Sequence, residues 1–415
     1  MASPSQSLSL EARLLLLTAS VPFDDLSLRG ALDTGIDWQK LCVLARHERA
    51  APIVLRALRR LGPEPSDPGF DELRKLAMLS VIELMHLERL LHRALDTLAA
   101  RGIEAMLLKG AGLAYTAYGS FADRPMGDLD VLVRPEQVQD AWEALQAHGW
   151  CCPTERVSVA AYTGHHHMPP LLDASLPYRL EIHRHLVPQE SPFRLAMSDV
   201  WARARQARVA ARSFTVPHPL HQLWHLCVHF AWSHTMSWGS WRTLRDAAAL
   251  VLTGEIEWRE FVGLAQESRA ATCCYWTLRL ARRLAGARIP DHVLSAVRPR
   301  RPQFVLDSLE RHYVSNLFPS DHGSPSVWLT HRLWEAGIAP RWSGHRSARP
   351  WHVSERWLVE QPASASRSAE PRVTRAPWTR RVGAVLGYLS RMRRSANGDE
   401  QHRSVESGAP DLSSR

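Results

Sequence analysis

The 415-residue sequence has few cysteines and no long apolar run. None of its six cysteines is spaced C-x-x-C, and the adjacent pairs Cys151-Cys152 and Cys273-Cys274 cannot bridge internally without strain. This pattern argues against a disulfide framework and predicts reduced thiols. No window approaches the roughly 18 consecutive apolar residues that a spanning helix needs, and the N-terminal stretch lacks the basic and apolar segments of a signal peptide. We therefore expect a soluble cytoplasmic protein without a membrane partner.

The sequence also lacks an even spread of basic residues. Its formal net charge is +9, but much of the excess lies after residue 340. A basic tail attracts polyanions of any kind and specifies none of them. The rest of the chain has no recognised nucleic-acid-binding motif and no platform of interleaved aromatic side chains, so nucleic acid is not an expected partner.

What is present is a change of hydrophobic period along the chain. Residues 1–100 carry apolar residues at three- and four-residue spacing, which predicts an N-terminal helical region. Residues 101–217 alternate strand and helix patterns, which predicts a small α/β core on one sheet, and residues 218–338 return to helical spacing. Residues 339–415 are predicted to be a basic, largely disordered tail with a short basic helix at 379–394. The predicted fold class is α+β, with a mixed β-sheet between two helical blocks.

The stretch RPMGDLDVLV, residues 124–133, places two aspartates at the start of an apolar strand. Asp128 and Asp130 are two residues apart, so their side chains point to the same side, roughly 6.5–7 Å apart along the backbone. Two buried carboxylates repel each other unless a cation lies between them, and Mg²⁺ or Mn²⁺ prefers such oxygen ligands. The spacing alone leaves two interpretations open, a divalent-metal pair or a solvated strand start.

Two further stretches extend this pattern. Glu181 lies in YRLEIHRHL, a predicted strand that can pair beside the first, and a third carboxylate there would complete a two-metal site. Upstream, LLKGAGLAYTAYG is an apolar strand that ends in Lys109-Gly110 and opens a helix. The glycine allows close approach of a ligand, the helix N-terminus favours phosphate, and the lysine adds a positive charge. Taken singly, Glu181 also fits a surface strand and Lys109-Gly110 an ordinary loop.

Together these three segments resemble the DNA polymerase β-like nucleotidyltransferase superfamily. The resemblance covers about residues 96–250 and is strongest to its branch of uncharacterised nucleotidyltransferases, with strand–Lys-Gly–helix, Arg-Pro-x-x-Asp-hydrophobic-Asp and Glu/Asp-hydrophobic-His segments. It implies a minimal mixed sheet with helices, and transfer of a nucleotide from an NTP such as ATP. By position, the catalytic, metal-binding carboxylates would be Asp128, Asp130 and Glu181, with Mg²⁺ or Mn²⁺ as cofactor.

The same resemblance implies a nucleotide-binding turn at Lys109-Gly110, with Arg124 either on a phosphate or on the first aspartate. One departure concerns this turn, because the wider superfamily has Gly-Ser there, roughly ten residues before the aspartates. Gly119-Ser120 stands nine and eight positions before the first aspartate, but this pair is predicted to close the helix as a C-terminal cap. We therefore assign the turn to Lys109-Gly110.

Histidines are concentrated near the predicted site. GHHHMPPLL, residues 164–172, holds three in succession, and we do not expect zinc there because adjacent histidines rarely converge. The resemblance implies that one of them, His167, lines the pocket. His183 lies two residues after Glu181, so it would share that strand face and reach metal or phosphate.

A histidine-rich helix and the helix after it also match the branch. Three histidines recur every four residues on one helical face, namely His221, His225 and His229. We favour core histidines there, because the glutamate of H-E-x-x-H is missing and the helix is otherwise apolar. On the next helix, Arg242 or Arg245 would hold substrate or phosphate with Asp246 orienting it, or these residues form an intrahelical ion pair.

These observations predict a metal-dependent nucleotidyltransferase that moves an NMP from an NTP to an unknown hydroxyl acceptor, a small molecule or a peptide or protein. The alternative is a non-catalytic nucleotide-binding or regulatory protein on a degenerate nucleotidyltransferase scaffold. The departure at the Lys109-Gly110 turn keeps that alternative open.

Overall fold

The computed structural model describes residues 8–318, except 154–158, 163, 174–177 and 210–211, together with residues 333–335 and 337–338. The predicted basic tail at 339–415, including the helix expected at 379–394, lies outside the described residues. No helix in the described part of the chain combines the length and apolar character needed to cross a bilayer.

Between residues 8 and 100 the structure is helical. In chain order the helices are α1 Leu10–Leu17, α2 Asp25–Leu32, α3 Trp38–His47, α4 Ala51–Arg59 and α5 Pro68–Ala100. Ser9, Asp24 and Asp37 each accept a hydrogen bond from a backbone N–H in the first turn of α1, α2 and α3. Asp67 caps α5, and Pro68 fits its first position because that N–H has no helical partner in any case.

Helix α5 packs into two cores. It is 33 residues long, about 50 Å at a rise of 1.5 Å per residue. Its first half contributes Phe70 and Leu73 to a core built mainly from helices. Its second half contributes Leu84 and Leu91 to a core that also contains the inner face of the sheet. One helix therefore joins the helical part of the molecule to its sheet.

The described residues form one seven-stranded mixed sheet. Its strands are β1 Met106–Leu107, β2 Asp128–Leu132, β3 Trp150–Cys151, β4 Leu171–Asp173, β5 Arg179–His183, β6 Arg205–Val209 and β7 Arg212–Val216. Their order across the sheet is β3-β4-β5-β2-β1-β7-β6. The pairs β2–β5 and β1–β7 are parallel, and the other neighbouring pairs are antiparallel. The predicted α+β class is confirmed.

Three helices lie among these strands, α6 Lys109–Thr116, α7 Val138–Gln146 and α8 Met197–Ala202. The predicted position of β5 beside β2 is confirmed. Strand β6 was not predicted. Only its central residue, Ala207, is buried, so its sequence shows no alternation of apolar and polar residues.

The chain after the sheet is helical and packs on the N-terminal helices. Its elements are α9 Pro219–Val228, a π-helical turn His229–Ser233, α10 Ser240–Leu252, α11 Trp258–Glu267, α12 Ala271–Leu284, α13 Asp291–Ala296 and α14 Gln303–Ser315. The Trp241 backbone N–H donates to Glu48 Oε2 and its indole N–H to Thr18 Oγ1, both at 3.0 Å. Buried side chains from both helical parts form one cluster. The division of the chain into four regions stays a prediction.

Candidate active site

The parallel pairing of β2 and β5 brings two acidic side chains side by side. Asp130 pairs in register with Glu181, and residues paired in this way point to the same face of a sheet. The opposite face, which includes Leu129 and Ile182, is fully buried in the sheet core. Alternation along the two strands therefore directs both carboxylates away from the core and toward one spot.

His183 completes a compact group of possible ligand atoms on this face. Its side chain is fully buried, and Nε2 lies 2.8 Å from Asp130 Oδ1 and 3.6 Å from Glu181 Oε2. One ligand atom from each of the three residues lies within 4.8 Å of the other two. His183 Nδ1 has no hydrogen-bond partner among the described residues.

Asp128 lies at the mouth of this group rather than within it. It is the first residue of β2 and is exposed, and it pairs in register with Arg179. Its pKa is raised, first because surrounding protein limits its hydration and then because Asp130 and Glu181 add negative charge. A carboxylate that solvent reaches while protein surrounds it lines an open cleft.

Lys109 enters the group from the turn between β1 and α6. Its Nζ lies 2.7 Å from Asp130 Oδ1, and its backbone φ of +44° falls in the left-handed region that non-glycine residues seldom adopt. Strain of this kind, of order 1–3 kcal/mol, persists only where the surrounding structure enforces it. Here the strained turn holds the ammonium against the carboxylates.

Two glycines allow α6 to pack this closely. A Cβ on Gly112 would lie 2.6 Å from the carbonyl oxygen of Leu107, so the helix cannot carry a side chain there without moving from β1. A Cβ on Gly110 would lie 3.0 Å from Arg124 Nη1 and 3.1 Å from Met126 Sδ. At the predicted Lys-Gly turn, α6 therefore packs closely against β1 and against the loop before β2.

The charges of the group keep its two inner carboxylates ionised. Burial acts to raise the pKa of Asp130, but the Lys109 ammonium and the His183 hydrogen bond have the larger effect and lower the pKa to about 2. Burial also acts to raise the pKa of Glu181, and here too the opposing charges and contacts prevail and hold it well below its usual range. The charge of His167 would lower the Glu181 pKa most. However, burial lowers the pKa of His167 itself to about 4, so His167 is neutral at pH 7. At neutral pH we therefore ascribe the ionisation of Glu181 to His183 and Lys109.

The three successive histidines converge, contrary to the prediction. A ring nitrogen from each of His165, His166 and His167 lies within 4.8 Å of the other two. The prediction was wrong because the chain here is a turn rather than an extended strand, so consecutive side chains can lie on one side. His167 bridges to His183 on β5, and its Nε2 lies 3.8 Å from Glu181 Oε2.

Arg124 is committed to a carboxylate on α10. Its Nε lies 2.9 Å from Asp246 Oδ1 and its Nη2 lies 2.6 Å from Asp246 Oδ2, while Tyr118 donates its hydroxyl to Oδ1 at 2.7 Å. The side chain of Asp246 is 1% exposed and that of Arg124 is 11% exposed. Asp246 thus pairs across 122 positions of sequence, and not with an arginine of its own helix.

The two arginines of α10 make other contacts. Arg245 donates to the backbone carbonyl oxygens of Thr18 and Ser20, and Arg242 donates to that of Glu48 at 3.1 Å. Arg242 also experiences the negative charge of Asp128. Of the two, Arg242 is the one near the mouth of the site.

Arg49 is a residue near the mouth that sequence reasoning missed. A Cβ on Gly127, the residue before Asp128, would lie 2.5 Å from the Arg49 guanidinium. The guanidinium therefore packs over the backbone at that position of RPMGDLD, and a side chain there would displace it. No local signal links Arg49 to the motif, because the two are almost 80 positions apart in sequence.

The histidines of α9 and its π-helical turn have separate surroundings. His221 Nε2 lies 3.0 Å from Asp199 Oδ2, and His229 stacks near His234. His225 forms a hydrogen bond to the Leu186 backbone, and burial lowers its pKa to about 3, assisted by the charges of Lys109 and His183 nearby. Of these three histidines, His225 is thus the one near the carboxylates. The helical spacing places all three on one face and could not distinguish it from the other two.

Comparison with known proteins assigns the chain to a family. The model of a family described as uncharacterised nucleotidyltransferase matches residues 34–286, more than half of the chain. The chain belongs to this family. The predicted resemblance is thereby confirmed, and nucleotidyltransferase activity is supported as a general class. Searches of curated proteins and of solved structures gave no match.

The residues of this site fit a divalent cation. Asp130 and Glu181 supply ionised oxygens, and His183 supplies a nitrogen within the same 4.8 Å group. Divalent metal ions in proteins are bound by such donors. Asp128 can reach the same region from the mouth, and Lys109 provides positive charge there in the absence of an ion.

Proposed function

We propose that the protein is a metal-dependent nucleotidyltransferase that moves an NMP from an NTP to a hydroxyl acceptor. The observation that carries this proposal is the register of β2 and β5, which aligns Asp130 with Glu181 on one face and leaves Asp128 at the mouth. Family membership supports the reaction class. The acceptor is a small molecule or a peptide or protein.

Asp128, Asp130 and Glu181 would hold Mg²⁺ or Mn²⁺. When bound, the ion neutralises charge on the phosphates and favours ionisation of the attacking hydroxyl. Asp128 is the carboxylate of the three that an acceptor can approach from solvent, because it is exposed at the mouth. The remaining contribution of the protein is to position the reactants and complement their charge.

The triphosphate would lie along the basic side of the mouth. Lys109 and the start of α6 at Gly110 lie beside Asp130. Arg242 and Arg49 lie near Asp128. Arg124 supports this arrangement from behind, because both of its donor groups are engaged by Asp246. We therefore assign phosphate contact to Arg242 and Arg49 and a positioning role to Arg124.

One observation favours the second candidate, a non-catalytic nucleotide-binding or regulatory protein. The Lys109 ammonium already lies 2.7 Å from Asp130 Oδ1, so the protein carries its own cation at a carboxylate that catalysis would assign to metal. In that case the scaffold would bind a nucleotide without transferring it.

The experiment that separates the two candidates uses each α-labelled NTP with Mg²⁺ or Mn²⁺ and a panel of hydroxyl-bearing acceptors. We expect pyrophosphate release and label transfer by the wild type and neither by Asp128→Ala/Asp130→Ala protein. Transfer that persists in the double variant would contradict the proposal. Saturable nucleotide binding without pyrophosphate release across the panel would favour the regulatory candidate.

A further inference from the structure

The donors around Glu181 include more nitrogen than a magnesium site needs. The Nε2 atoms of His183 and His167 lie 3.6 Å and 3.8 Å from Glu181 Oε2, on the side chains of two adjacent segments. Asp130 Oδ1 lies 2.8 Å from the same His183 atom. Glu181 Oε2 therefore has a ring nitrogen of each histidine within 4 Å. His183 Nε2 donates its proton to Asp130 in this structure, so a metal ion bound there would replace that proton.

The surroundings of His167 fix which nitrogen can bind a metal. Its Nδ1 lies 2.7 Å from the backbone carbonyl oxygen of Met168, and a carbonyl oxygen can only accept, so Nδ1 carries the proton. The lone pair is then on Nε2, the atom that faces Glu181. Pinning one ring nitrogen to a carbonyl and presenting the other is the usual arrangement of metal-ligating histidines.

The backbone holds both rings in place before any ion binds. His167 and His183 form an antiparallel bridge, and the amide of Met168 donates to Ile182 O while that of Arg184 donates to His166 O. His167 and His183 are 4% and 0% exposed in their side chains. Ordered and desolvated imidazoles lose little freedom when they coordinate a metal.

From this geometry we propose that the site is a mixed imidazole–carboxylate centre that selects a transition-metal ion over Mg²⁺, with His167 and His183 as ligands beside Asp130 and Glu181. The inference rests on the proposed metal-dependent function and specifies its cofactor. Imidazole suits transition metals such as Fe²⁺, Ni²⁺ and Zn²⁺, and Co²⁺ lies between Fe²⁺ and Ni²⁺ in affinity, whereas Mg²⁺ is bound by oxygen ligands and keeps several waters.

The test is binding of Co²⁺ to the full chain, produced without a polyhistidine tag and stripped of metal with a chelator. Visible absorption of Co²⁺ reports nitrogen coordination without requiring catalysis, and calorimetry with Co²⁺ and Mg²⁺ separately gives both affinities. We expect a nitrogen-type spectrum, and Co²⁺ binding at least about tenfold tighter than Mg²⁺. Mg²⁺ that binds as tightly as Co²⁺ would overturn the proposal.

His167→Gln and His183→Gln should each weaken Co²⁺ binding by about 10- to 100-fold or more and change the spectrum. His148→Gln is the matched control, because His148 Nδ1 also lies against a backbone carbonyl oxygen, at 2.8 Å from Ala144 O, but the residue belongs to neither group of candidate ligands. Circular dichroism of the metal-free proteins checks folding. If His183→Gln does not fold, His167→Gln alone decides. An unchanged spectrum in folded His167→Gln protein would refute the assignment.

Failure of this inference differs from failure of the proposed function. Nitrogen coordination lost in His167→Gln protein, without NTP transfer by the wild type, would retain the centre and reject the transferase. Mg²⁺-supported transfer that is equal in wild-type and His167→Gln protein would retain the transferase and reject the centre.

Discussion

Asp246 and Asp130 are both buried and both pair with basic side chains, but the two carboxylates differ in how completely their oxygens are hydrogen-bonded. Both oxygens of Asp246 are engaged by the Arg124 guanidinium, and Tyr118 donates to one of them. Lys109 and His183 both donate to one oxygen of Asp130, Oδ1, and the side chain of that lysine is 21% exposed. The first pair is closed to solvent and the second borders a cleft.

The two pairs also differ in the charge that surrounds them. Asp246 and Arg124 balance each other. Around Asp130, the carboxylates of Glu181 and Asp128 add negative charge that Lys109 does not neutralise alone. Burial lowers the pKa of this lysine, but Asp130 and Glu181 raise it more, so it stays charged. A balanced pair maintains structure, whereas a site with excess negative charge favours a further cation.

The largest expected effect is on the closed pair. Asp246→Asn leaves a buried guanidinium without its counter-ion, and we expect a loss of about 3–5 kcal/mol in the free energy of unfolding, measured by urea denaturation. The control is Glu260→Gln, which breaks an exposed pair with Arg203 and should change stability by no more than about 1 kcal/mol. Equal losses of unfolding free energy in the two variants would show that the two ion pairs contribute similarly to stability.

Asp130→Asn, in contrast, should affect transfer activity more than stability. We expect transfer activity to fall more than about 100-fold, since loss of a residue that merely supports a metal ligand costs 10- to 100-fold. The loss of stability should stay within about 2–3 kcal/mol, the amount by which a folded-state pKa of about 2 against about 3.9 in the unfolded chain stabilises the ionised carboxylate. Activity is measured by labelled NTP transfer and stability by urea denaturation. Near-normal activity would place the reaction elsewhere.

His225, behind the Lys109–Asp130 pair, should make stability depend on pH. Its pKa in the folded protein is about 3, below the value of about 6.5 expected in the unfolded chain. The unfolded state therefore binds the proton first as pH falls, and stability is lost from about pH 6.5 downward. We expect about 2 kcal/mol from this residue between pH 7 and pH 5, which His225→Gln should remove. An identical pH profile in the variant would contradict the expectation.

Gly112→Ala tests how firmly the Lys109 turn is positioned. The added Cβ would meet the Leu107 carbonyl oxygen, so we expect a loss of about 1–3 kcal/mol together with reduced transfer. Gly263→Ala is the matched control on α11, where a Cβ meets nothing within 4 Å. It should gain about 0.5–1 kcal/mol through helix propensity. Thermal unfolding compares the two, and a tolerated Gly112→Ala would show that α6 can shift.

Local patterns in the sequence predicted much of the fold and the centre of the site. The alternation around Asp130 and Glu181 indicated their shared face, because side-chain direction along a strand follows a period of two. The partners of Arg124 and the approach of Arg49 could not be predicted, since each depends on how distant segments pack. The convergence of His165 with its neighbours depended on turn geometry that the sequence pattern does not contain.

Helix α5 has a mechanical consequence for the whole chain. Because one continuous helix contributes apolar side chains to both cores, loss of either core would strip half of that helix of its packing. A long helix without tertiary support is only marginally stable in water. We therefore expect the helical part and the sheet to melt together, in a single calorimetric transition rather than two.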